Sequence, residues 1–222
     1  MKPVVKICCI ASIEEARLAI DAGAGALGLV SAMPSGPGVI EDTRIAEIAA
    51  AVAPPTETFL LTALTQAEAI AAQHAAAGTT TLQLVDHVPH AELQRLRAAR
   101  PGVTLVQVIH VVGDTSVDEA LAVAPWVDAL LLDSGNPALA VKQLGGTGRI
   151  HDWALSRRIR DAVWPLPLYL AGGLHAGNVA DALSQVQPHG LDLCSSVRSN
   201  GRLDAAKLQT FMAAVSAASA AA

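Results

Sequence analysis

The sequence is poor in aromatics, cysteine and charge. Phe, Trp and Tyr together make up 3% of the 222 residues, so any core is aliphatic. The three cysteines form no disulfide framework, and the adjacent Cys8 and Cys9 are badly placed to bridge each other. Charged residues are 16% with a formal net charge of −5, and no Lys/Arg cluster offsets it, which argues against nucleic acid as a partner. Mean hydropathy is +0.41, yet no apolar run reaches the roughly 18 residues of a membrane span. The start MKPVVKICC has no long apolar segment and no small-residue cleavage site. A reducing cytoplasm is the expected compartment. No stretch rich in Pro, Gly or Ser divides the chain, so one domain over residues 1–222 is expected. Its alanine-rich end, 213–222, is expected to fray.

What is present is alternation. Short apolar runs occur at 4–10, 26–32, 58–64, 81–87, 104–111, 129–134, 166–173 and 190–197, each followed by an amphipathic, alanine-rich segment. The runs are nearly continuous in apolar character, as parallel strands covered on both faces are. Ser12 with Glu15 has the form of a capping box, and Gly23 and Gly78 stand where helices end. Eight strand–helix units in a chain of this length predict an α/β fold, a (βα)8 TIM barrel. A doubly wound open sheet is the second reading, weakened by the lack of G-x-G-x-x-G after the first run.

In such a barrel the reactive groups sit where strands end. Alternation places Val4, Lys6, Cys8 and Ile10 on one face of the first run, and Cys9 on the other. A lysine fits the polar upper lumen better than the space under helices, so Cys8 is expected inside and Cys9 outside. The same parity turns Asp133 inward at the end of the sixth run. A thiol and a carboxyl across a barrel mouth can serve as general base and general acid. Taken singly, a free cysteine is more often a small buried hydrophobe, and an aspartate equally a helix N-cap. GGTG (145–148), AGGL (171–174) and CSSV (194–197) supply glycines and hydroxyls after runs six, seven and eight. Backbone N–H groups from such loops form a phosphate cradle without needing lysine. Gly146, Gly148, Gly172, Gly173, Ser195 and Ser196 are its candidate members.

At these residues the chain resembles the phosphoribosylanthranilate isomerases, nearly from end to end. VKICCI is similar to the family's K-I-C-G, and GALGLV to its G-A-D-x-x-G-F strand. LQL is similar to Q-L-H-G, and VDALLLDS with LGGTGRIHDW to D-x-x-L-L-D…G-G-T-G-x-x-F-D-W. LAGGLHAGNV and LDLCSSVRSNGRLDAAKLQTF resemble its closing motifs, L-A-G-G-L-x-x-x-N-V and D-x-x-S-G-V-E-x-x-x-G-x-K-D. The resemblance implies an Amadori rearrangement of N-(5-phosphoribosyl)anthranilate, in tryptophan biosynthesis, with Asp133 as general acid and Cys8 as general base. It implies a phosphosugar substrate, no cofactor, no metal, and a monomer or homodimer. The family's S-P-R loop is here MPSGPGVI, and no arginine lies between Arg17 and Arg44. Cys9 stands where the family has glycine, Gln83-Leu84-Val85-Asp86 replaces Q-L-H-G, and Arg198 ends the S-G-V-E element. Another group must then meet the substrate carboxylate. Lys6, Gln83, His110 and Arg198 are candidate substrate contacts, with His87 a further one for the carboxylate. Two other readings stay open: an isomerase acting on a different phosphorylated aminosugar, and a non-catalytic phosphosugar-binding paralogue.

Overall fold

A computed structural model describes residues 2–135 and 150–220. Among them, eight parallel strands close into a barrel: β1 (Val4–Ile7), β2 (Ala26–Val30), β3 (Glu57–Thr62), β4 (Thr81–Leu84), β5 (Thr104–His110), β6 (Ala129–Asp133), β7 (Leu168–Leu170) and β8 (Gly190–Leu193). The outer layer is α1 (Ile13–Asp21), α2 (Asp42–Ala51), α3 (Ala67–Ala77), α4 (His90–Ala99), α5 (Thr115–Val123), α6 (Trp153–Val163), α7 (Val179–Val186) and α8 (Ala205–Ala220). The (βα)8 barrel read from the sequence is the fold observed. No helix of the described residues is long and apolar enough to cross a membrane.

Side-chain parity builds two cores. Outward residues such as Leu27, Leu60, Leu82, Leu130 and Leu191 pack under the helices. Inward ones, among them Ala26, Phe59, Leu61, Val106, Leu131 and Tyr169, fill the lumen. The lumen is crowded where β7, β8 and β1 meet. A Cβ on Gly190 would overlap the Tyr169 ring and lie 3.0 Å from the Val4 carbonyl oxygen.

The barrel closes between β1 and β8, in register Lys6↔Asp192. Lys6 has no exposed surface, and its ammonium lies 2.9 Å from Asp192 Oδ1 and 5.3 Å from the centre of the Phe59 ring. Burial alone would push the ammonium toward neutrality, but the Asp192 carboxylate, together with the neighbouring Cys8 and Cys9, more than reverses this and raises its pKa above the ordinary value. Lys6, a candidate substrate contact in the sequence, is thus engaged as a closing tie of the barrel. Gly28 leaves the space this needs: a Cβ there would stand 2.8 Å from Cys8 Sγ and 3.0 Å from Lys6 Nζ.

A second tie engages another of the candidates, Arg198. Its guanidinium makes two 3.1 Å bonds to the Glu15 carboxylate, Nη1 to Oε1 and Nη2 to Oε2, and donates to the carbonyls of Cys8, Cys9 and Gly201. Glu15 also accepts from the N–H groups of Ala11 and Leu203. Ser12 Oγ caps α1 by accepting from the Glu15 N–H at 3.2 Å, as half of the expected capping box. The other half is absent, because the Glu15 side chain turns to Arg198 and the two loops instead. The loop after β1 is thus bound to the short hairpin β9 (Arg198–Ser199) and β10 (Arg202–Leu203), beyond β8. Gly78 ends α3 in the left-handed conformation, as expected of a C-cap.

Two stability measurements check these ties. Gly190→Ala should destabilise the chain by about 1–3 kcal/mol through overpacking, read from the urea midpoint, with Tyr169→Leu in the same chain recovering part of the loss. Arg198 and the two loop N–H groups outweigh burial and hold Glu15 below its usual value of 4.5. Its folded pKa is below its unfolded one, so its stabilisation is present above about pH 4.5 and is lost as pH falls through the folded value. The stability gap between the wild type and Glu15→Gln should therefore shrink on acidification; a gap independent of pH would remove the clamp from the account.

Candidate active site

The C-terminal ends of the strands surround a cleft of about 720 Å³. Cys8, Gln83, Val85, Asp133, Asp192 and Cys194 line it from the barrel side, and Met33, Ser35, Gly36 and Pro37 from the loop after β2. Gly172, Gly173, Leu174, Ser195 and Ser196 close the remaining wall. Both inward assignments made from strand parity therefore meet in one cavity: Cys8, directly after β1 and still bonded to β8 through its N–H, and Asp133 at the end of β6.

Cys9 is not where alternation puts it. It belongs to the lumen-side cluster and lines the same cleft. The reason is local. The strand ends at Ile7 rather than continuing to Ile10, and Cys9 has φ 63, so the period-two rule no longer applies. Its Sγ reaches the Pro37 carbonyl oxygen at 3.6 Å, a contact that Gly38 permits because a Cβ there would lie 2.8 Å from that sulfur.

Asp133 is half-buried at the end of β6. Its Oδ1 accepts from the Ser134 N–H at 2.7 Å. Burial raises its pKa, and the nearby Asp192 charge raises it further, against the opposing pull of the Ser134 bond. A carboxyl in this setting keeps its proton to higher pH than a solvated aspartate, which is the state a general acid needs. Asp192 was legible in the sequence but not singled out there. A lysine facing a barrel lumen requires a counter-charge, and the polar residue of GLDL has the parity to supply it.

The wall after β7 and β8 has the features of an anion cradle. Gly172 and Gly173 adopt φ 84 and 65, conformations that a side chain would strain. Asn178 holds this turn, its Nδ2 donating to the Gly173 carbonyl at 3.0 Å while its Oδ1 accepts from the His175 N–H. The run expected as strand through residue 197 becomes a 3₁₀ turn over Ser195–Val197. Among the described residues the buried Ser196 hydroxyl has no hydrogen-bond partner. The candidates Gly146 and Gly148 lie outside the described residues.

The other candidates separate. Gln83 lines the cleft, and its buried Oε1 is without a partner. His110 shares the lumen-facing parity of Asp133, its register partner, but its Nε2 is bonded to the Val85 carbonyl at 3.0 Å and it does not line the cleft. His87 opens instead onto a groove with His90 and Glu119 on the helical side. Among the described residues no group of three His, Cys, Asp or Glu is arranged to hold a metal ion.

Residues 5–214 match the family model described as N-(5'-phosphoribosyl)anthranilate (PRA) isomerase. The N-(5'-phosphoribosyl)anthranilate isomerase 2 of Methanosarcina mazei is 33% identical over 210 residues, covering 94% of this chain and 92% of its own. The crystal structure of phosphoribosyl anthranilate isomerase from Thermus thermophilus superposes with a TM-score of 0.81 at 25% identity, over 96% of this chain and 98% of that one. An isomerase structure in complex with reduced 1-(o-carboxyphenylamino)-1-deoxyribulose 5-phosphate has the same fold, with a TM-score of 0.80 at 22% identity and coverage of 97% and 99%. With a family model spanning nearly all of it and a relative one-third identical along its length, the chain belongs to the N-(5'-phosphoribosyl)anthranilate isomerase family.

Proposed function

We propose that this chain catalyses the Amadori rearrangement of N-(5'-phosphoribosyl)anthranilate to 1-(o-carboxyphenylamino)-1-deoxyribulose 5-phosphate, with Asp133 as acid and Cys8 as base. The observation that carries the reading is their meeting in one cleft, beside a wall suited to phosphate, in a chain of this family. The related isomerase bound to the reduced form of that product supports the substrate class.

Asp133 gives its proton to the furanose ring oxygen as the bond from that oxygen to C1 breaks. The amine lone pair fills in behind, and an iminium forms at C1. Cys8, as thiolate, takes the proton from C2, and the C–H electrons flow into the iminium to give the enolamine. Protonation at C1 with loss of the C2 hydroxyl proton completes the ketone. The substrate's own iminium is the electron sink, so the residues have only to place and move protons. The raised pKa of Asp133 favours the first of these steps.

Gly172, Gly173, Ser195 and Ser196 are assigned to the phosphate, with the unpartnered Ser196 hydroxyl as one donor. Val30, Met33, Pro37, Leu61 and Val85 form an apolar wall suited to an aromatic ring. The amide of Gln83, turned so that its NH₂ faces the cleft, is the neutral donor for the ring carboxylate. Among the described residues that line the cleft there is no lysine or arginine, which gives the second reading, a different aglycone on the same aminosugar phosphate, its specific support.

Phosphoribosylanthranilate generated in situ is fluorescent, and its disappearance gives the rate. Wild-type protein should consume it. Cys8→Ser and Asp133→Asn should each lower kcat by about 10²–10⁴-fold at an unchanged denaturation midpoint. Gly28→Ala should lower kcat more than it raises KM, because it pushes the thiol off its position. No wild-type turnover, with inorganic phosphate still bound, would favour the other aglycone; turnover indifferent to both substitutions would withdraw the acid and base assignments.

A further inference from the structure

His110 does not line the cleft, yet it ends β5 beside Asp133, which ends β6. The two are register partners, and the next N–H, that of Val111, donates to the Asp133 carbonyl at 2.9 Å. Val108 and Leu131, two residues earlier on the same strands, both pack in the lumen, so His110 and Asp133 have the same inward parity. Hydrogen-bonded strands lie about 4.8 Å apart, which puts the imidazole within electrostatic reach of the carboxyl.

The ring is held at one nitrogen and open at the other. His110 Nε2 lies 3.0 Å from the Val85 carbonyl oxygen. A carbonyl only accepts, so Nε2 carries the hydrogen and, in the neutral ring, Nδ1 carries the lone pair. Nδ1 is buried and, among the described residues, has no hydrogen-bond partner. The residue is 6% exposed, and its backbone carbonyl accepts from Ser116 Oγ of α5 at 3.3 Å. A buried acceptor left open costs stability, and an apolar side chain could occupy the position without that cost. What the imidazole adds is a second place for a proton beside the acid.

Other charged groups bear on this pair. Asp192 acts on Asp133 from β8, and Glu119 of α5 feels the charges of both His87 and His110. Asp86, next to Val85, is turned to the His87 N–H at 2.8 Å. Burial first, and Asp192 after it, make Asp133 hold its proton, whereas the Ser134 bonds and the His110 charge work the other way. A carboxyl that holds its proton too firmly is a poor acid.

We propose that His110 is a positioning residue for the acid: through Nδ1 the imidazole shares the proton of Asp133 and sets how readily the carboxyl gives it to the substrate. The inference rests on the assignment of Asp133 as the acid. A single proton on the pair makes either the carboxyl O–H or the Nδ1–H bond, and only the first form can protonate the ring oxygen. The imidazolium favours the carboxylate, and the carboxylate favours the imidazolium by the same free energy. Removing the imidazole therefore leaves a carboxyl that is weaker as a donor yet stays protonated to higher pH.

The test reads both sides of this coupling. Heteronuclear NMR of the histidine rings in folded wild-type protein, with His110 identified by its loss in His110→Gln, should show the Nε2–H form. Protonating that ring should need a lower pH in Asp133→Asn than in the wild type. Glutamine at this position keeps a donor for the Val85 carbonyl and cannot take a proton. His110→Gln should lower kcat at neutral pH by about 10-fold, a part of the roughly 10²–10⁴-fold that a general acid supplies. KM should stay the same, and the fall of kcat at high pH should move upward. A merely structural role would scale the rate without displacing its pH profile. The ring titration needs no turnover, so it decides the proposal even where the proposed rearrangement fails. A His110 titration identical in wild type and Asp133→Asn, or a His110→Gln rate that falls at the wild-type pH, would overturn it.

Discussion

The ion pair between Lys6 and Asp192 is the constraint around which the rest of this molecule is arranged. It spans the seam where the last strand meets the first, in a lumen filled largely by aliphatic and aromatic side chains. An unpaired ammonium there would be strongly destabilising, because burial removes its hydration and nothing apolar can replace it. The pairing fixes register, since a slip of one residue would turn Lys6 under the helices and separate it from Asp192. It also acts at a distance. The carboxylate that compensates Lys6 adds negative potential at Asp133, beyond what burial does, and so favours the protonated acid. A structural necessity at the seam thus becomes an electrostatic setting of the site above it.

Around that seam, roles divide between strands and loops. Strands place Cys8, Gln83 and Asp133 with the accuracy of hydrogen-bonded register, and Gly28 keeps the thiol's space open. Loops supply the proposed anion cradle and, together with Val30 of β2 and Leu61 of β3, the apolar wall, and they require separate fixation. Arg198 and Glu15 provide it on one side, binding the carbonyls of Cys8 and Cys9 to the hairpin after β8. Asn178 provides it on the other by holding the Gly173 turn. The Arg198 Nη atoms, the Glu15 carboxylate and the Asn178 amide are all engaged within the protein, and these bonds fix the position of the loops.

Legibility in the sequence follows the same division. The barrel, and the inward placement of Cys8 and Asp133, could be read because parity within a strand is a two-state choice and a lysine decides it. Cys9 could not be placed in this way, because the strand stops at Ile7 and a positive φ follows. Arg198 reads as a free cation near the site only until the fold brings Glu15, far away in the chain, against it. Lys6 read correctly as inward, but its engagement by Asp192 was not read. The missing inference was its counter-charge, and Asp192 was the polar residue in an otherwise apolar run that met the requirement.

These pairings also decide how the cleft can attract an anionic ligand. Lys6 is neutralised by Asp192 and Arg198 by Glu15, while the chain as a whole is net negative. Among the described residues the cleft therefore offers an anionic ligand dipoles rather than lysine or arginine: in the proposed assignment, glycine N–H groups and the Ser196 hydroxyl for a phosphate, and the Gln83 amide for a carboxylate. Dipoles act over short range and must be oriented in advance, whereas a mobile lysine attracts from a distance and adapts. Recognition built in this way depends on the loops being held before the ligand arrives. The buried ion pairs are thus part of the binding apparatus, although neither is assigned a contact with substrate.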